Sequence, residues 1–294
     1  MMIRAALAGV LGSMAVLAQQ AAAPDDLTPS FRVETRLVEV YASVFDKRGN
    51  PLPNLTRERF RVFDDGQPQK LLAFEGAEDK VTCALLLDVT GSMEAFLPVL
   101  KNAVVQFVDA LREEEKVGVY TFNTSLQLAQ PFTSDKKLIK QAVLRTRAQG
   151  GTALFDAVSN VSRDLEVHQG KKALVLFTDG ADNASVLTAS GGSRRARLSG
   201  VPIYAIAEGD ALREPKLLKT LEDLAADSGG IAFRLDKANK IGEVFSAIVR
   251  DLRNTYLLSW KAPDTAGQAW RAVKVSVTQP PEVRIRARQG YYPK

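Results

Sequence analysis

The sequence has few of the side chains on which hydrolytic and zinc-dependent enzymes rely. It contains one cysteine and one histidine among 294 residues. This composition does not supply a Ser/His or Cys/His hydrolytic site, and zinc lacks its usual ligand set. His168 lies at the end of a predicted helix and is interpreted as a solvated residue rather than a catalytic base. The sequence therefore gives no support to these two classes of enzyme.

Long apolar runs and clusters of like charge are also scarce. The first residues combine a basic start, an apolar stretch and small residues, which is the layout of a secretory signal peptide, and we place it at residues 1–23. The alternative is an uncleaved N-terminal anchor. No later run approaches the roughly 20 apolar residues that a membrane-spanning helix needs. The 39 basic and 34 acidic residues leave +5 without a run of like charges, so no nucleic-acid surface is predicted.

The single cysteine bears on both export and structure. Cys83 cannot form an internal disulfide, and its apolar surroundings predict a small buried hydrophobe. An exported chain with so little cysteine favours a bacterial cell envelope over an animal extracellular space. We therefore expect a bacterial protein that is periplasmic, cell-surface or secreted, with no transmembrane span after signal cleavage.

Three zones with different patterns follow the signal segment. Residues 30–77 and 257–294 show strand patterns separated by turn-forming residues, and strands over 60–63 and 70–74 are predicted to form a hairpin. Residues 80–256 instead alternate strand and helix patterns, beginning with an apolar run typical of a strand covered on both faces. We predict an α/β domain with a doubly wound, mostly parallel sheet. The flanking zones are expected to form a small antiparallel β-sandwich into which this domain is inserted.

Three loops of the α/β zone carry oxygen-bearing side chains at the carboxyl ends of predicted strands. The first loop supplies Asp88, Thr90 and Ser92, the second Thr152, and the third Asp179. Ligands of open α/β sheets bind at this edge. Alternate residues of an extended turn point the same way, so the first loop can direct three oxygen atoms to one point.

Oxygen ligands of this kind suit a hard divalent cation, since Mg²⁺ prefers six of them in near-octahedral order. We therefore predict one metal site, for Mg²⁺ or Mn²⁺ with Ca²⁺ also compatible, at Asp88, Thr90, Ser92, Thr152 and Asp179. Any one of these loops could instead be an ordinary helix cap, because Asp, Ser and Thr are common N-cap residues. Three loops in order at strand ends favour the metal site.

Taken together, the loops resemble those of the von Willebrand factor type A (vWA) family and its metal-ion-dependent adhesion site (MIDAS). The first motif of that family runs Asp-x-Ser-x-Ser, and here Thr90 replaces the first serine and keeps a hydroxyl. Segments 150–156 and 177–180 also resemble the corresponding vWA loops. The resemblance covers residues 81–256 and implies a vWA, Rossmann-like fold in which Asp179 binds the cation through a water molecule.

The flanking segments carry a second resemblance. Residues 44–49, 60–66 and 287–292 are similar to those of vWA-related proteins of Acidobacteria. That family is largely uncharacterised, so the similarity bears on architecture and source more than on a biological role.

The vWA resemblance implies a cell-adhesion or protein–protein interaction module, not an enzyme. Its cation would keep one open coordination position. A protein partner that presents an acidic side chain would complete the shell, so binding would require the metal. The identity of the partner and the oligomeric state stay open.

Two other functions fit parts of the sequence. Residues 85–92 also resemble the first motif of haloacid-dehalogenase-type phosphatases, in which Asp88 would be the nucleophile beside Mg²⁺. Most such enzymes carry a general-acid aspartate two residues later, where this chain has Thr90, which protonates a leaving group poorly. The third hypothesis is a structural envelope protein with a vestigial site.

Overall fold

The computed structural model describes residues 37–263, 269–278 and 282–293 of the chain. The predicted signal peptide lies outside these described residues. No helix within the three ranges is long and apolar enough to cross a membrane.

Helices and strands alternate through the middle of the chain, and strands dominate on either side. The strands, in chain order, are β1 (Leu37–Phe45), β2 (Phe60–Asp64), β3 (Gln67–Gln69), β4 (Ala73–Glu75), β5 (Val81–Asp88), β6 (Lys116–Phe122), β7 (Leu126–Thr133), β8 (Lys171–Thr178), β9 (Ile203–Ala207), β10 (Ile231–Arg234), β11 (Thr255–Lys261), β12 (Arg271–Val277), β13 (Arg284–Ala287) and β14 (Gly290–Tyr291). The α-helices are α1 (Leu97–Ala110), α2 (Lys136–Arg145), α3 (Leu154–Glu166), α4 (Ala189–Ser199), α5 (Asp210–Arg213), α6 (Pro215–Ser228) and α7 (Ile241–Arg253). Short 3-10 helices cover Arg57–Arg59, Gly91–Glu94 and Ala238–Lys240.

The central sheet has its six strands in the order β10-β9-β8-β5-β6-β7. Neighbouring strands are parallel, except that β7 returns antiparallel to β6. The chain moves outward from β5 through β6 to β7, then crosses to β8 on the other side of β5 and continues to β10. The strand order therefore reverses between β5 and β8, which is the switch point where ligands bind in open α/β sheets. The predicted doubly wound, mostly parallel sheet is confirmed.

The apolar run of β5 explains why this strand lies at the centre of the sheet. Cys83, Leu85 and Leu87 point into a core formed with α1 and α7, whereas Ala84 and Leu86 point into a second core formed with α3, α4 and α6. Burial raises the pKa of the Cys83 thiol far above its ordinary value, which keeps the group neutral and unreactive. Because helices cover both faces of this strand, successive residues are apolar, and the sequence shows a continuous apolar run.

Strands from the two flanking zones form two further sheets, ordered β13-β1-β11-β4 and β14-β12-β2-β3. Strand β1 pairs antiparallel with β11 from Leu37 opposite Lys261 to Ser43 opposite Thr255, which joins the two zones directly. The two sheets share a core that includes Val40, Val62 and Trp260. This arrangement confirms the antiparallel sandwich predicted from the two ends of the chain.

The hairpin predicted within the first flanking zone is correct in its turn but wrong in its second strand. Asp65 and Gly66 adopt φ of 47° and 79°, as a tight turn between antiparallel strands requires. The strand after the turn is β3, three residues long, whereas the segment predicted to pair there contributes β4, which pairs with β11 in the other sheet. The sequence pattern after the turn does not show that β3 and β4 are two short strands with different partners.

Lys171 connects the entry and the exit of the α/β domain at the amino-terminal end of β8. Its buried ammonium donates hydrogen bonds to the carbonyl of Ala77, before β5, at 2.9 Å and to that of Leu252, near the end of α7, at 3.0 Å. Burial lowers the pKa of this ammonium to about 8. The end of the sheet opposite the predicted site is thus fixed by a buried charge with backbone partners.

Candidate metal centre

The predicted metal ligands all lie at the carboxyl edge of the central sheet. Asp88 is the last residue of β5, and Asp179 directly follows the last residue of β8. The two strands are neighbours in the sheet, with Leu87 level with Phe177. The switch point therefore brings together residues that are far apart in the sequence.

Hydrogen bonds join four of the five predicted ligands into one cluster. Thr178 Oγ1 donates to Asp88 Oδ2 at 2.7 Å, and the Thr90 backbone N–H donates to Asp88 Oδ1 at 3.0 Å. The hydroxyl oxygens of Thr90 and Ser92 are 3.0 Å apart, and Ser92 Oγ donates to Asp179 Oδ1 at 3.1 Å. Two carboxyl groups and two hydroxyl groups thus converge on one small volume between the strand ends.

Thr152 is held at the same edge by the loop that follows β8. The Thr152 N–H donates to Asn183 Oδ1 at 2.8 Å, and the Asn183 N–H donates to the Thr152 carbonyl at 2.9 Å. A methyl group built on Gly180 would lie 3.7 Å from Thr152 Oγ1. The Thr152 hydroxyl therefore borders the residue that follows Asp179, and the fifth predicted ligand is adjacent to the other four.

The first loop differs from the extended turn expected over residues 88–92. Thr90 is extended, with φ of −71° and ψ of 167°, but a 3-10 helix covers Gly91–Glu94. The Gly91 N–H donates to the carbonyl of Gly150 at 3.2 Å, which ties this turn to the second loop. Ser92 therefore reaches the cluster from a helical turn. The extended turn predicted over residues 88–92 is therefore wrong, although the predicted grouping of its side chains is present.

Helix capping does not account for these side chains. Thr90 precedes the 3-10 helix, but within the described chain its side chain makes no capping hydrogen bond. The N-cap of α3 is Ala153 rather than Thr152. Asp135, by contrast, is an ordinary cap, because its carboxylate accepts hydrogen bonds from two backbone N–H groups at the start of α2. The oxygen atoms of the cluster are directed at one another instead of at helix ends.

Burial disfavours the charged form of the carboxyl groups at this edge. Asp88 is 0% exposed; burial raises its pKa to about 6, and the charge of Asp179 adds to this rise, while hydrogen bonds from Thr178 and Thr90 oppose it. Burial also raises the pKa of Asp179 and of the neighbouring Glu208. A divalent cation at this edge would stabilise the ionised carboxylates, as bound cations generally do.

The donor set fits a hard divalent cation. The five predicted ligands offer only oxygen atoms, and Mg²⁺ and Mn²⁺ accept such ligands. Within the described ranges no group of three or more His, Cys, Asp or Glu residues could hold a metal by itself, so the hydroxyl groups of Thr90, Ser92 and Thr152 would be needed. Four of the five ligands are buried and Ser92 is exposed, so the cluster opens to solvent at Ser92.

Three residues outside the predicted ligand set support the cluster. Thr178 orients Asp88, and Asn183 fixes the backbone of Thr152. Asp182 accepts the Phe155 N–H at 3.0 Å and so holds the start of α3. In the sequence, Asp182 and Asn183 indicate only a polar turn without a ligand role. Their positioning role depends on how that turn meets the second loop, which no local pattern encodes.

Comparison with known proteins identifies a family whose model matches this chain and a distant relative of it. A family model for the von Willebrand factor type A domain matches residues 83–247, which is more than half of the chain. The human voltage-dependent calcium channel subunit alpha-2/delta-2 is 29% identical over 126 residues, covering 37% of this chain and 11% of that subunit. The chain thus corresponds to a small part of that much longer protein.

Two solved structures share the fold. A von Willebrand factor type A structure from Catenulispora acidiphila has a TM-score of 0.53 at 13% identity, covering 87% of this chain and 73% of that one. Proximal thread matrix protein 1 from the mussel byssus has a TM-score of 0.52 at 20% identity, covering 63% of this chain and 49% of that one. The similarity of the flanking segments to proteins of Acidobacteria stays a prediction.

The fold and the family match agree with each other. The strand order places the three loops at the switch point, and the matched residues begin within β5 and end within α7. Domains of this type are a family of adhesion and protein-interaction modules. The chain belongs to the von Willebrand factor type A domain family.

Proposed function

We propose that this vWA domain is an exported, metal-dependent protein-binding module. The observation that carries the proposal is the convergence of oxygen-bearing side chains from three loops at the switch point of the sheet. In this proposal Asp88, Thr90, Ser92 and Thr152 hold one Mg²⁺ ion directly and Asp179 holds it through a water molecule. Mn²⁺ and Ca²⁺ are the alternative ions.

The bound cation would supply a positive centre for a carboxylate oxygen of the partner protein. With Asp179 acting through a water, the direct ligands carry a single negative charge, so a partner carboxylate would make a strong charge-assisted contact. Ser92, the exposed ligand, marks the side from which the partner approaches. Thr178 and Asn183 keep the ligands in place by the hydrogen bonds described above.

The alternative of a phosphatase has less support from the same geometry. A nucleophilic carboxylate must be reached by the phosphorus atom, whereas Asp88 is 0% exposed and both of its oxygens accept hydrogen bonds. Thr90 shares a hydrogen bond with Ser92 and offers no acid group. The test is turnover of p-nitrophenyl phosphate with Mg²⁺. If the protein turns over this substrate and Asp88→Ala abolishes the turnover, the protein is an enzyme rather than a binding module.

Isothermal titration of Mg²⁺ and Mn²⁺ into the chelator-treated protein tests the metal site. We expect saturable one-to-one binding that Asp88→Ala abolishes. The matched control is Asp210→Asn, because Asp210 lies at the same edge of the sheet but its side chain is 74% exposed and pairs with Arg213. Equal loss of binding in both variants would show that general negative charge, rather than a built site, attracts the metal.

Acetate provides a minimal model of the partner. If one coordination position is open, Mg²⁺ will bind more tightly in acetate than in chloride, because the added carboxylate completes the shell. A structural protein with a vestigial site would bind no metal in either salt.

A further inference from the structure

A groove of about 310 Å³ lies beside the candidate metal centre, between β7 and α2. Val89 and Gln149 line it, and the Gln149 N–H donates to the Val89 carbonyl at 2.8 Å. These residues belong to the first and second loops of the metal centre. Asn123 also lines the groove, and its carbonyl accepts the N–H of Ala153 next to Thr152 at 2.8 Å. The groove therefore shares its wall with the loops that hold the predicted ligands.

The groove carries uncompensated positive charge. None of the described residues that line it is acidic, and Arg145 and Arg147 line it as exposed side chains. Neither guanidinium has an ion-pair partner within the described ranges. Lys101 lies next to them, donating to the Leu144 carbonyl at 2.9 Å. Burial and, to a smaller extent, the nearby charge of Arg147 lower the pKa of Lys101, as a like charge close by does.

The remaining polar groups of the groove suit a peptide backbone. Gln127, Gln141 and Gln149 line the groove, and each side-chain amide can both donate and accept hydrogen bonds. An extended peptide presents the same two kinds of group along its length. Arginine, with its planar fork of donors, is the side chain best matched to a carboxylate.

We propose that the groove holds the segment of the partner next to its metal-binding carboxylate, and that Arg145 and Arg147 bind a second acidic side chain on that segment. The inference rests on the proposed metal-dependent binding function. It adds the class of partner, which is an extended acidic peptide with two separate carboxylates.

A peptide-display selection in Mg²⁺ tests the proposal with the full mature protein as bait. The test variant is Arg145→Gln with Arg147→Gln. The control is Arg195→Gln with Lys216→Gln, which removes the same charge from exposed positions on α4 and α6, across the central sheet from α2. We expect wild type and control to enrich peptides with two acidic residues at a fixed spacing. The test variant should bind those peptides about tenfold more weakly in fluorescence anisotropy, as two partly exposed ion pairs would predict.

The outcomes separate the groove from the metal site. Enriched peptides that need Mg²⁺ but bind the test variant as tightly as wild type would overturn the groove proposal and leave the metal site standing. Peptides that bind equally in chelator yet lose affinity in the test variant would support the groove and overturn the metal-dependent function. Heparin is measured in parallel. The selection could enrich no acidic peptide while heparin binds wild type and not the test variant. The groove would then be a site for a polyanion, and the peptide proposal would be overturned.

Discussion

Replacing Asp88 with asparagine should make the metal-free protein more stable, although it destroys the proposed metal site. Asp88 is fully buried at the end of β5. Among the described residues, only Thr178 and Thr90 donate hydrogen bonds that offset the loss of water around its charge. Asparagine has nearly the same shape and no charge. Its carbonyl can accept the Thr90 N–H, and its amide can donate to the Thr178 hydroxyl oxygen.

The size of the effect follows from the pKa of Asp88. Burial raises it from 3.8 to about 6, and one pKa unit corresponds to about 1.4 kcal/mol. A carboxyl with a raised folded-state pKa binds its proton more tightly in the folded than in the unfolded chain, so the folded protein loses stability as pH rises through this range. The cost is less than about 1 kcal/mol at pH 4 and levels off at about 3 kcal/mol above pH 6. Since the amide replaces a charge-assisted hydrogen bond by a weaker one, we expect a net gain of about 2 kcal/mol at pH 7.5.

Urea unfolding in chelator measures this gain as the difference in free energy of unfolding between Asp88→Asn and wild type. The difference should be close to zero at pH 4 and about 2 kcal/mol at pH 7.5. The exposed control Asp210→Asn should change stability by no more than about 0.5 kcal/mol. Saturating Mg²⁺ should stabilise wild type and leave Asp88→Asn unchanged, because only a protein that binds the ligand gains from it. A variant less stable than wild type at pH 7.5, or a difference independent of pH, would refute the reasoning.

Three further predictions concern groups that the sequence did not single out. Thr178→Val removes the donor to Asp88 and should weaken Mg²⁺ binding about tenfold in calorimetry; unchanged affinity would mean that this hydrogen bond does not orient the ligand. Asn183→Ala leaves the N–H of Thr152 without its acceptor and should lower the free energy of unfolding in urea by about 1–3 kcal/mol, whereas a loss below the error of the fit would argue against its role in the loop. Because burial lowers the pKa of Lys171 to about 8, the unfolded chain binds this proton more tightly, so wild-type stability should rise relative to that of Lys171→Met from pH 8 towards pH 10. Parallel stability curves for the two proteins over that interval would contradict this sign.

The central sheet could be predicted because burial on two faces leaves a strong local signal. The apolar run of β5 and the helical spacing of the apolar residues of α1 can each be recognised within the sequence of that element alone. The flanking zones were harder, because β3 and β4 are three residues long and belong to different sheets. Helix α5 is also too short, at four residues, to show a helical period in its sequence.

The residues of the site could be predicted from the sequence, but the local geometry of its loops could not. Asp88, Ser92 and Asp179 were expected together because strand ends of a parallel sheet meet at one edge. The 3-10 turn that carries Ser92 was not expected, since it depends on a backbone hydrogen bond from Gly91 to the second loop. The role of Asn183 likewise exists only once two loops distant in sequence have met. Contacts of this kind depend on tertiary structure, so no pattern within either loop encodes them.

The most direct test of the account is a crystal structure of the protein grown with Mn²⁺ and measured at a wavelength where manganese scatters anomalously. We expect one strong anomalous peak bounded by Asp88, Thr90, Ser92, Thr152 and Asp179, and no such peak in crystals of Asp88→Ala. A wild-type crystal at saturating Mn²⁺ without a peak at this position, or with its peak elsewhere, would contradict the proposal that this vWA domain binds its partner through a metal ion.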